Sequence, residues 1–352
     1  MTDKTDIKSL AIEELREQLS TMGEPAFRAG QIFSWLHQKH AGAFSEMTSL
    51  SKALRDRLEE RFYIPRVAVK HKLVSAIDGT VKYLYELEDG ETVEAVFMRY
   101  HHGNSLCIST QVGCRMGCTF CASTLGGFVR NLTAAEMLGE IETAEGETGE
   151  KVSSLVLMGI GEPLDNYDNV VRFLQLLSSK EGMNMSLRHV SLSTCGLVPR
   201  INDLAQLRLG LTLSVSLHAP NDQIRSRTMP VNRRYSIDAL LAACRHYAQT
   251  TSRRISFEYA LIDGVNDSEQ NARELARRLR GMLCHVNLIA VNPVRECGVK
   301  ASPRTAVERF TLVLERERIP VTVRRRLGAD INAACGQLRR ERREGGRRLT
   351  ED

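Results

Sequence analysis

Three cysteines, Cys114, Cys118 and Cys121, stand in the run GCRMGCTFCAST with three and then two residues between them. Thiolates this closely spaced are metal ligands. Three of them with no nearby fourth fit a 4Fe-4S cluster whose remaining iron is open to a substrate. Structural zinc fits less well, because it takes four ligands, commonly from two CxxC-like pairs, and no second pair exists here. The expectation is a redox-dependent enzyme rather than a passive binding protein.

Other chemistry-bearing residues lie downstream. In Met158-Gly159-Ile160-Gly161-Glu162-Pro163 the glycines allow close approach of backbone to a ligand, and the Glu162 carboxylate is able to accept hydrogen bonds from an ammonium group. Alone, such a Gly-Glu-Pro is more often a turn. Ser193 in SLSTCG, Ser216 and His218 in SVSLHAPND and Asn292 in LIAVNP each end a strand-like run. Taken singly, each reads as a satisfied polar residue or turn former. Cys107 lies in LCIST, and Cys335 in GADINAACGQL beside Ala333, Ala334 and Gly336. Cys335 is either an accessible thiolate activated by basic neighbours or an ordinary buried thiol, and periodicity favours the second.

Such residues act only where the chain holds them. Residues 5–62 carry apolar positions at helical spacing: Ile7 to Leu19, then Phe27 to Leu36, then Leu54 to Phe62. This predicts a small helical module at 1–64. From 65 to 104 the period becomes two, with turn signals at Asp78-Gly79 and Asp89-Gly90, so three strands in hairpins are expected to link the module to the rest of the chain. Over 105–336, seven apolar strands from LCIST to PVTVRR alternate with helices placed at 133–146, 169–179, 238–250, 268–279 and 306–318. That rhythm predicts an α/β fold with a parallel sheet, doubly wound or a full or partial barrel, and active residues beyond the C-terminal ends of its strands. Residues 337–352 form a basic tail.

Composition bounds the rest. With 352 residues, 42% hydrophobic and 26% charged, the chain buries a large core. The first twenty residues lack the apolar stretch of a secretory signal and no run is long enough to cross a bilayer, so a cytoplasmic protein is expected. Nine cysteines in that setting argue for reduced, metal-bound or catalytic thiols rather than a disulfide framework. The net charge of +5 is concentrated in Arg324, Arg325 and Arg326 and in the arginines from Arg339 to Arg348. These residues either meet phosphates or form a solvated tail. Aromatic content of 5% offers no visible stacking platform.

The CxxxCxxC loop with Phe120 before its last cysteine resembles the radical S-adenosylmethionine (SAM) superfamily. TVEAV, CISTQVGCRMGCTFCAS, MGIGEPLDN, SLHAPND, RIPVTVRRRLGADINAACGQL and the N-terminal GEPAFRAGQIFSWLH together resemble, over nearly the whole chain, the radical SAM methyltransferases of RNA adenine. The similarity is to the bacterial dual-specificity branch that methylates adenine C2 in 23S ribosomal RNA and in transfer RNA. The resemblance implies a partial (β/α) barrel, a helical module that helps hold RNA, and two SAM molecules per turnover. It implies cluster ligation by Cys114, Cys118 and Cys121, and SAM contacts from Gly161, Glu162, Ser193, Ser216, Leu217, His218 and Asn292. Cys335 would carry a methyl group, Glu94 would accept a proton, and Cys107 would release the product by forming a disulfide with Cys335. A flavodoxin- or ferredoxin-type electron donor and a monomeric state are implied. Cys195, Cys244, Cys284 and Cys297 match no catalytic position, while Arg28, Lys39, Arg55 and Arg61 are candidates for RNA contact. The alternatives are the sister branch that methylates adenine C8, a radical SAM activating enzyme acting on a protein, and an iron-sulfur RNA-binding protein without enzymatic activity.

Overall fold

The computed structural model describes residues 4–290, 300–325 and 327–331. Asn292, Cys297, Arg326, Cys335 and the arginines from Arg339 to Arg348 lie outside the described residues.

The helical module contains α1 (Ile12–Thr21), α2 (Phe27–His37) and α3 (Lys52–Arg61). Their apolar faces turn inward, with Leu15, Leu19, Ile32, Phe33, Leu36, Leu54 and Leu58 all buried. The first helix starts later than its apolar spacing predicts. Thr5–Asp6 (β1) pairs in parallel with Phe62–Tyr63 (β2), and the Asp6 carboxylate accepts the backbone N–H groups of Lys8 and Ser9. That local turn competes with helix and delays it to Ile12.

His37, at the end of α2, packs against Phe33 with ring centroids 4.2 Å apart and the planes tilted by 47°, and neither ring nitrogen has a hydrogen-bond partner. Burial, reinforced by the Lys8 charge, pushes its pKa from 6.5 down to about 3. The unfolded chain therefore binds one more proton than the folded chain between those values. The stability this residue contributes is fully present above pH 6.5 and is lost as pH falls toward 3. Thermal melts from pH 7 to pH 4 are expected to show falling stability, by up to roughly 1.4 kcal/mol per pH unit from this residue. His37→Leu should make that slope shallower.

The hairpin strands β3 (Ala68–Val74), β4 (Val81–Glu86) and β5 (Thr92–Tyr100) form as predicted, with Gly79 and Gly90 at positive φ in the connecting turns. They extend the main sheet, because β5 pairs antiparallel with β6 (Gly103–Cys107). A short ribbon of β7 (Gln111–Gly113) and β8 (Phe128–Asn131) brackets the cysteine loop. Then helices and strands alternate through α4 (Ala134–Thr148), β9 (Val152–Leu157), α5 (Tyr167–Ser178), β10 (Val190–Thr194), α6 (Val198–Leu207) and β11 (Thr212–Ser216). The series continues with α7 (Asp222–Thr228), α8 (Ile237–Thr251), β12 (Ile255–Leu261), α9 (Glu269–Leu279), β13 (Cys284–Ala290), α10 (Arg304–Arg316) and β14 (Val321–Val323).

One sheet holds ten strands in the order β14-β13-β12-β11-β10-β9-β6-β5-β4-β3. From β6 onward the strands are parallel and follow chain order without reversal. A doubly wound sheet reverses its order to put helices on both faces. Right-handed crossovers in unbroken order instead place every helix on one side, which curves the sheet and leaves a concave inner face. Strand order thus decides for a partial barrel. Among the described residues its edges, β3 and β14, are not hydrogen-bonded to each other. One buried core runs through module and sheet, and no described helix is long and apolar enough to cross a membrane.

Candidate active site

At the C-terminal ends of the parallel strands lies a cavity of about 520 Å³, lined by Cys114, Cys118, Cys121, Cys107, Gly161, Glu162, Ser193, Ser216 and His218. The fold therefore gathers nine of the thirteen residues singled out by sequence onto one wall system. Glu94 and Leu217 do not line it. Leu217 is buried in the core, with its N–H donated to the Glu258 carbonyl, while Glu94 is fully buried on β5. A larger cavity, about 770 Å³, lies between the helical module and α4 and carries none of the cysteines.

The cysteine loop leaves β7 and is framed by backbone bonds, from Cys114 N–H to the Gly127 carbonyl at 3.2 Å and from Thr119 N–H to the Thr228 carbonyl at 2.9 Å. Arg115 within it reaches Asp165 at 2.9 Å, tying the loop to the segment after Pro163. Burial pushes the Cys114 thiol up to about 12 and the Cys118 thiol higher, and each thiolate opposes ionisation of the next. These thiols do not ionise unaided, so they fit a group that brings its own positive charge. Among the described residues no three His, Cys, Asp or Glu side chains are close enough to hold one metal ion. A cluster takes one thiolate on each of several irons and so accepts ligands spread further apart.

The glycines of Met158–Pro163 also let two chain segments pack closely. A Cβ at Gly159 would stand 2.5 Å from the Ile108 carbonyl oxygen, and one at Gly161, where φ is +111°, would stand 2.8 Å from Gln111 N. They allow this segment to lie against residues 108–111 of the neighbouring chain segment. There Thr110 and Gln111 donate to the Ile160 carbonyl, and the Glu162 N–H reaches the Gln111 side chain at 2.9 Å. Glu162 is consequently fixed. Its carboxylate accepts Cys195 N–H at 2.7 Å and Leu164 N–H at 3.1 Å, and burial raises its pKa against the pull of these donors.

His218, at φ +53°, accepts the Ala260 N–H on Nδ1 at 2.9 Å. Burial and the Arg225 charge lower its pKa to about 3. The ring is therefore neutral with its proton on Nε2, and it meets the Phe120 ring edge-on at 4.9 Å.

Two groups in or behind the wall escaped sequence reading. Glu258 lines the cavity, accepts from Asn287 at 2.8 Å and Ser256 at 3.0 Å, and has its pKa raised by burial. Arg225 is fully buried behind the cavity. Arg225 sits in the polar run DQIRSRT and reads as solvated, whereas Glu258 is the one charged residue of the apolar run ISFEYALI, a signal by which it could have been found.

Beyond β14 the chain crosses the cavity mouth. Leu327 packs with Val96, Met98, Cys107, Val156 and Met158, Gly328 N–H donates to Asp78 at 2.8 Å, and Asp330 accepts Ser75 Oγ at 2.6 Å and Ala76 N–H at 2.9 Å. The turn between β3 and β4 thus clasps the strap to the opposite edge of the sheet. Asp330→Ala is expected to raise hydrogen exchange in residues 327–331 by about tenfold. An unchanged exchange rate there would mean that Leu327 and the Gly328–Asp78 bond hold the strap without Asp330. No disulfide joins any two of the described cysteines.

The four basic candidates of the helical module are engaged locally. Arg28 donates to Gln31, Arg55 to the Ser45 carbonyl and Arg61 to Thr21, while Lys39 lies 3.7 Å over the Trp35 ring.

The family model for the radical SAM superfamily matches residues 108–276. That for the ribosomal RNA large subunit methyltransferase N-terminal domain matches residues 5–64. Two curated proteins described as "Probable dual-specificity RNA methyltransferase RlmN" are similar throughout. The one from Alkaliphilus oremlandii is 55% identical over 96% of this chain and 98% of its own. The one from Pelotomaculum thermopropionicum is 52% identical over 99% of this chain and 95% of its own. The crystal structure of a radical SAM methyltransferase from Sphaerobacter thermophilus superposes with a TM-score of 0.89 at 44% identity, covering 95% of this chain and 98% of that one.

Proposed function

Since this chain belongs to the RlmN family of dual-specificity RNA methyltransferases within the radical SAM superfamily, we propose that it places a methyl group on C2 of an adenine in 23S ribosomal RNA and in transfer RNA. The observation that carries this reading is the position of Cys107, a thiol outside the cluster motif that lines the same cavity as Cys114, Cys118 and Cys121. A radical SAM enzyme that only activates a protein has no use for it.

Adenine C2 is electron-poor and cannot attack a sulfonium methyl as a nitrogen or sulfur nucleophile would. Cys114, Cys118 and Cys121 would hold a 4Fe-4S cluster, which when reduced would supply, from SAM, the radical chemistry able to take hydrogen from a methyl group. The residues of the chain prepare and resolve that event. Glu162 offers its carboxylate to the SAM ammonium group, with Gly161, Ser193, Ser216, Leu217, His218 and Asn292 around the rest. Cys335, as a thiolate, displaces a methyl group from a first SAM and holds it as a thioether. Once the activated carbon bonds to the adenine, the RNA is tied to Cys335. Glu94 accepts the proton from the substrate carbon. Cys107, as a thiolate, bonds to the Cys335 sulfur while the sulfur–carbon bond breaks, the freed carbon takes up a proton to complete the methyl group, and the one unpaired electron left over passes back to the redox donor. The disulfide is reduced before the next turnover, as a reducing cytoplasm and a flavodoxin- or ferredoxin-type donor suit. The base must leave its stack to reach the cavity, and in this reading the helical module holds the surrounding RNA.

Anaerobic turnover with methyl-deuterated SAM tests this. The expected product methyl carries two deuterium atoms on C2, with the third in 5′-deoxyadenosine. Three deuterium atoms in the product would exclude the mechanism, and a methyl group on C8 would move the chain to the sister reaction.

A further inference from the structure

The inner face of the antiparallel flank carries a buried ion pair that the proposed reaction leaves half explained. Lys82 Nζ lies 3.2 Å from Glu94 Oε2, with the two side chains 1% and 0% exposed. Lys82 is opposite Val96 across β4 and β5, and Val96 is opposite Cys107 across β5 and β6. Opposite residues in an antiparallel pair share a face, and alternate residues along a strand share it too. Lys82, Glu94, Val96 and Cys107 therefore project to the same side of the sheet, with Glu94 one strand repeat from a wall residue of the cavity.

Among the described residues their strand neighbours on this face are apolar. Leu84, Val96 and Met98 occupy the neighbouring positions on this face and are buried. Burying two charges there costs more than filling the space with apolar side chains, and β-branched residues would suit the strands better. Stability gives no reason for an ion pair at this place. A proton acceptor gives one, because a charged partner fixes the carboxylate in a single orientation, and a base must be held within reach of the proton it takes.

We propose that Lys82 is a positioning residue whose ammonium group holds the Glu94 carboxylate in place on the face it shares with Cys107, ready to accept the substrate proton. The inference rests on Glu94 being the proton acceptor. In the step concerned, the C–H bond at the substrate carbon breaks, its proton goes to a Glu94 oxygen and its electron pair stays with the ring. Lys82 keeps all three of its protons throughout. The Ser109 hydroxyl donates to the Glu94 carbonyl at 2.7 Å, so the strand is held in register independently of the ion pair.

The test compares wild-type, Lys82→Met, Lys82→Gln, Lys82→Arg and Glu94→Gln chains, each reconstituted anaerobically and given RNA and SAM. Melting temperature, methylation of Cys335 by peptide mass, RNA-linked protein on denaturing gels and released methyladenine are followed. Lys82→Met and Lys82→Gln are expected to methylate Cys335 as the wild type does, to release product at least about tenfold more slowly, and to accumulate RNA-linked protein, as Glu94→Gln does. Lys82→Arg is expected to recover most of the rate. Wild-type product release by the neutral variants overturns the proposal. So does a parallel loss of Cys335 methylation, failure of Arg to do better than Gln, or failure of the neutral variants to fold, each of which makes the pair a structural brace. If Glu94→Gln itself turns over without accumulating RNA-linked protein, the assignment of Glu94 has failed, which is a distinct outcome.

Discussion

Replacing Cys118 with alanine is expected to strip the reconstituted protein of iron and to lower its reductive cleavage of SAM by at least about a thousandfold, while Cys195→Ala leaves both intact. The contrast is informative because the two thiols pack in one small cluster with Met229 and are both deeply buried. Proximity alone would treat them alike. Cys118 belongs to the loop that presents three thiols to the cavity, whereas Cys195 contributes its backbone N–H to Glu162, a bond that alanine keeps. Iron and sulfide analysis, the visible absorption of the cluster and release of 5′-deoxyadenosine give three separate readings. Iron retained by Cys118→Ala, or lost equally from Cys195→Ala, would remove the ligand assignment.

The second large effect is expected at Arg225. Its guanidinium donates to the carbonyls of Cys195 at 2.6 Å, Ser216 at 3.2 Å and Leu217 at 3.2 Å, and to Asn232 Oδ1 at 3.0 Å. One side chain thus fastens the end of β10 to the end of β11, the two strand ends that carry Ser193 and the Ser216–His218 segment. Arg225→Met fills most of the volume and removes the cost of burying a charge, but leaves three buried carbonyls without donors. At about 1 kcal/mol or more for each, the variant should be destabilised by roughly 3 kcal/mol. SAM affinity should fall by about tenfold or more, since the strand ends are no longer held in register. Arg225→Lys should fall between, because an ammonium has three donors and no planar fork to span four acceptors. Denaturation midpoints and equilibrium SAM binding measure the two effects. A variant with wild-type affinity despite lower stability would confine Arg225 to folding.

Arg225 also marks where sequence reading stops. The run DQIRSRT has one apolar residue, Ile224, so neither periodicity nor composition reveals α7, and its arginine reads as solvated. Helix α6 is hidden for a related reason, since Gly196 and Pro199 at its approach and start suggest a loop. By contrast α4 was legible. Its apolar face follows Thr133, whose hydroxyl accepts Glu136 N–H while the Glu136 carboxylate accepts Thr133 N–H, a local signal that requires no tertiary knowledge. Lys82 was misleading in the opposite direction. Alternation in TVKYLYELE places it on a polar face, which on a one-sided sheet would be solvated, yet β4 is covered on both faces because the sheet curls round its own interior.

What the sequence determined by itself is the chemistry that depends on spacing along the chain: three thiols on one loop, a glutamate after closely packed glycines, capped helices in alternation with apolar strands. These are set within a few residues, where the geometry of the backbone leaves little choice. The tertiary structure decided what depends on strand order. Unbroken parallel order, rather than a reversal, gives the sheet an inside. Only that inside brings Cys107 on β6, Glu162 after β9 and His218 after β11 to one cavity, and only there does burial make a neutral imidazole of His218, push up the Cys114 and Cys118 thiols, and set Lys82 beside Glu94.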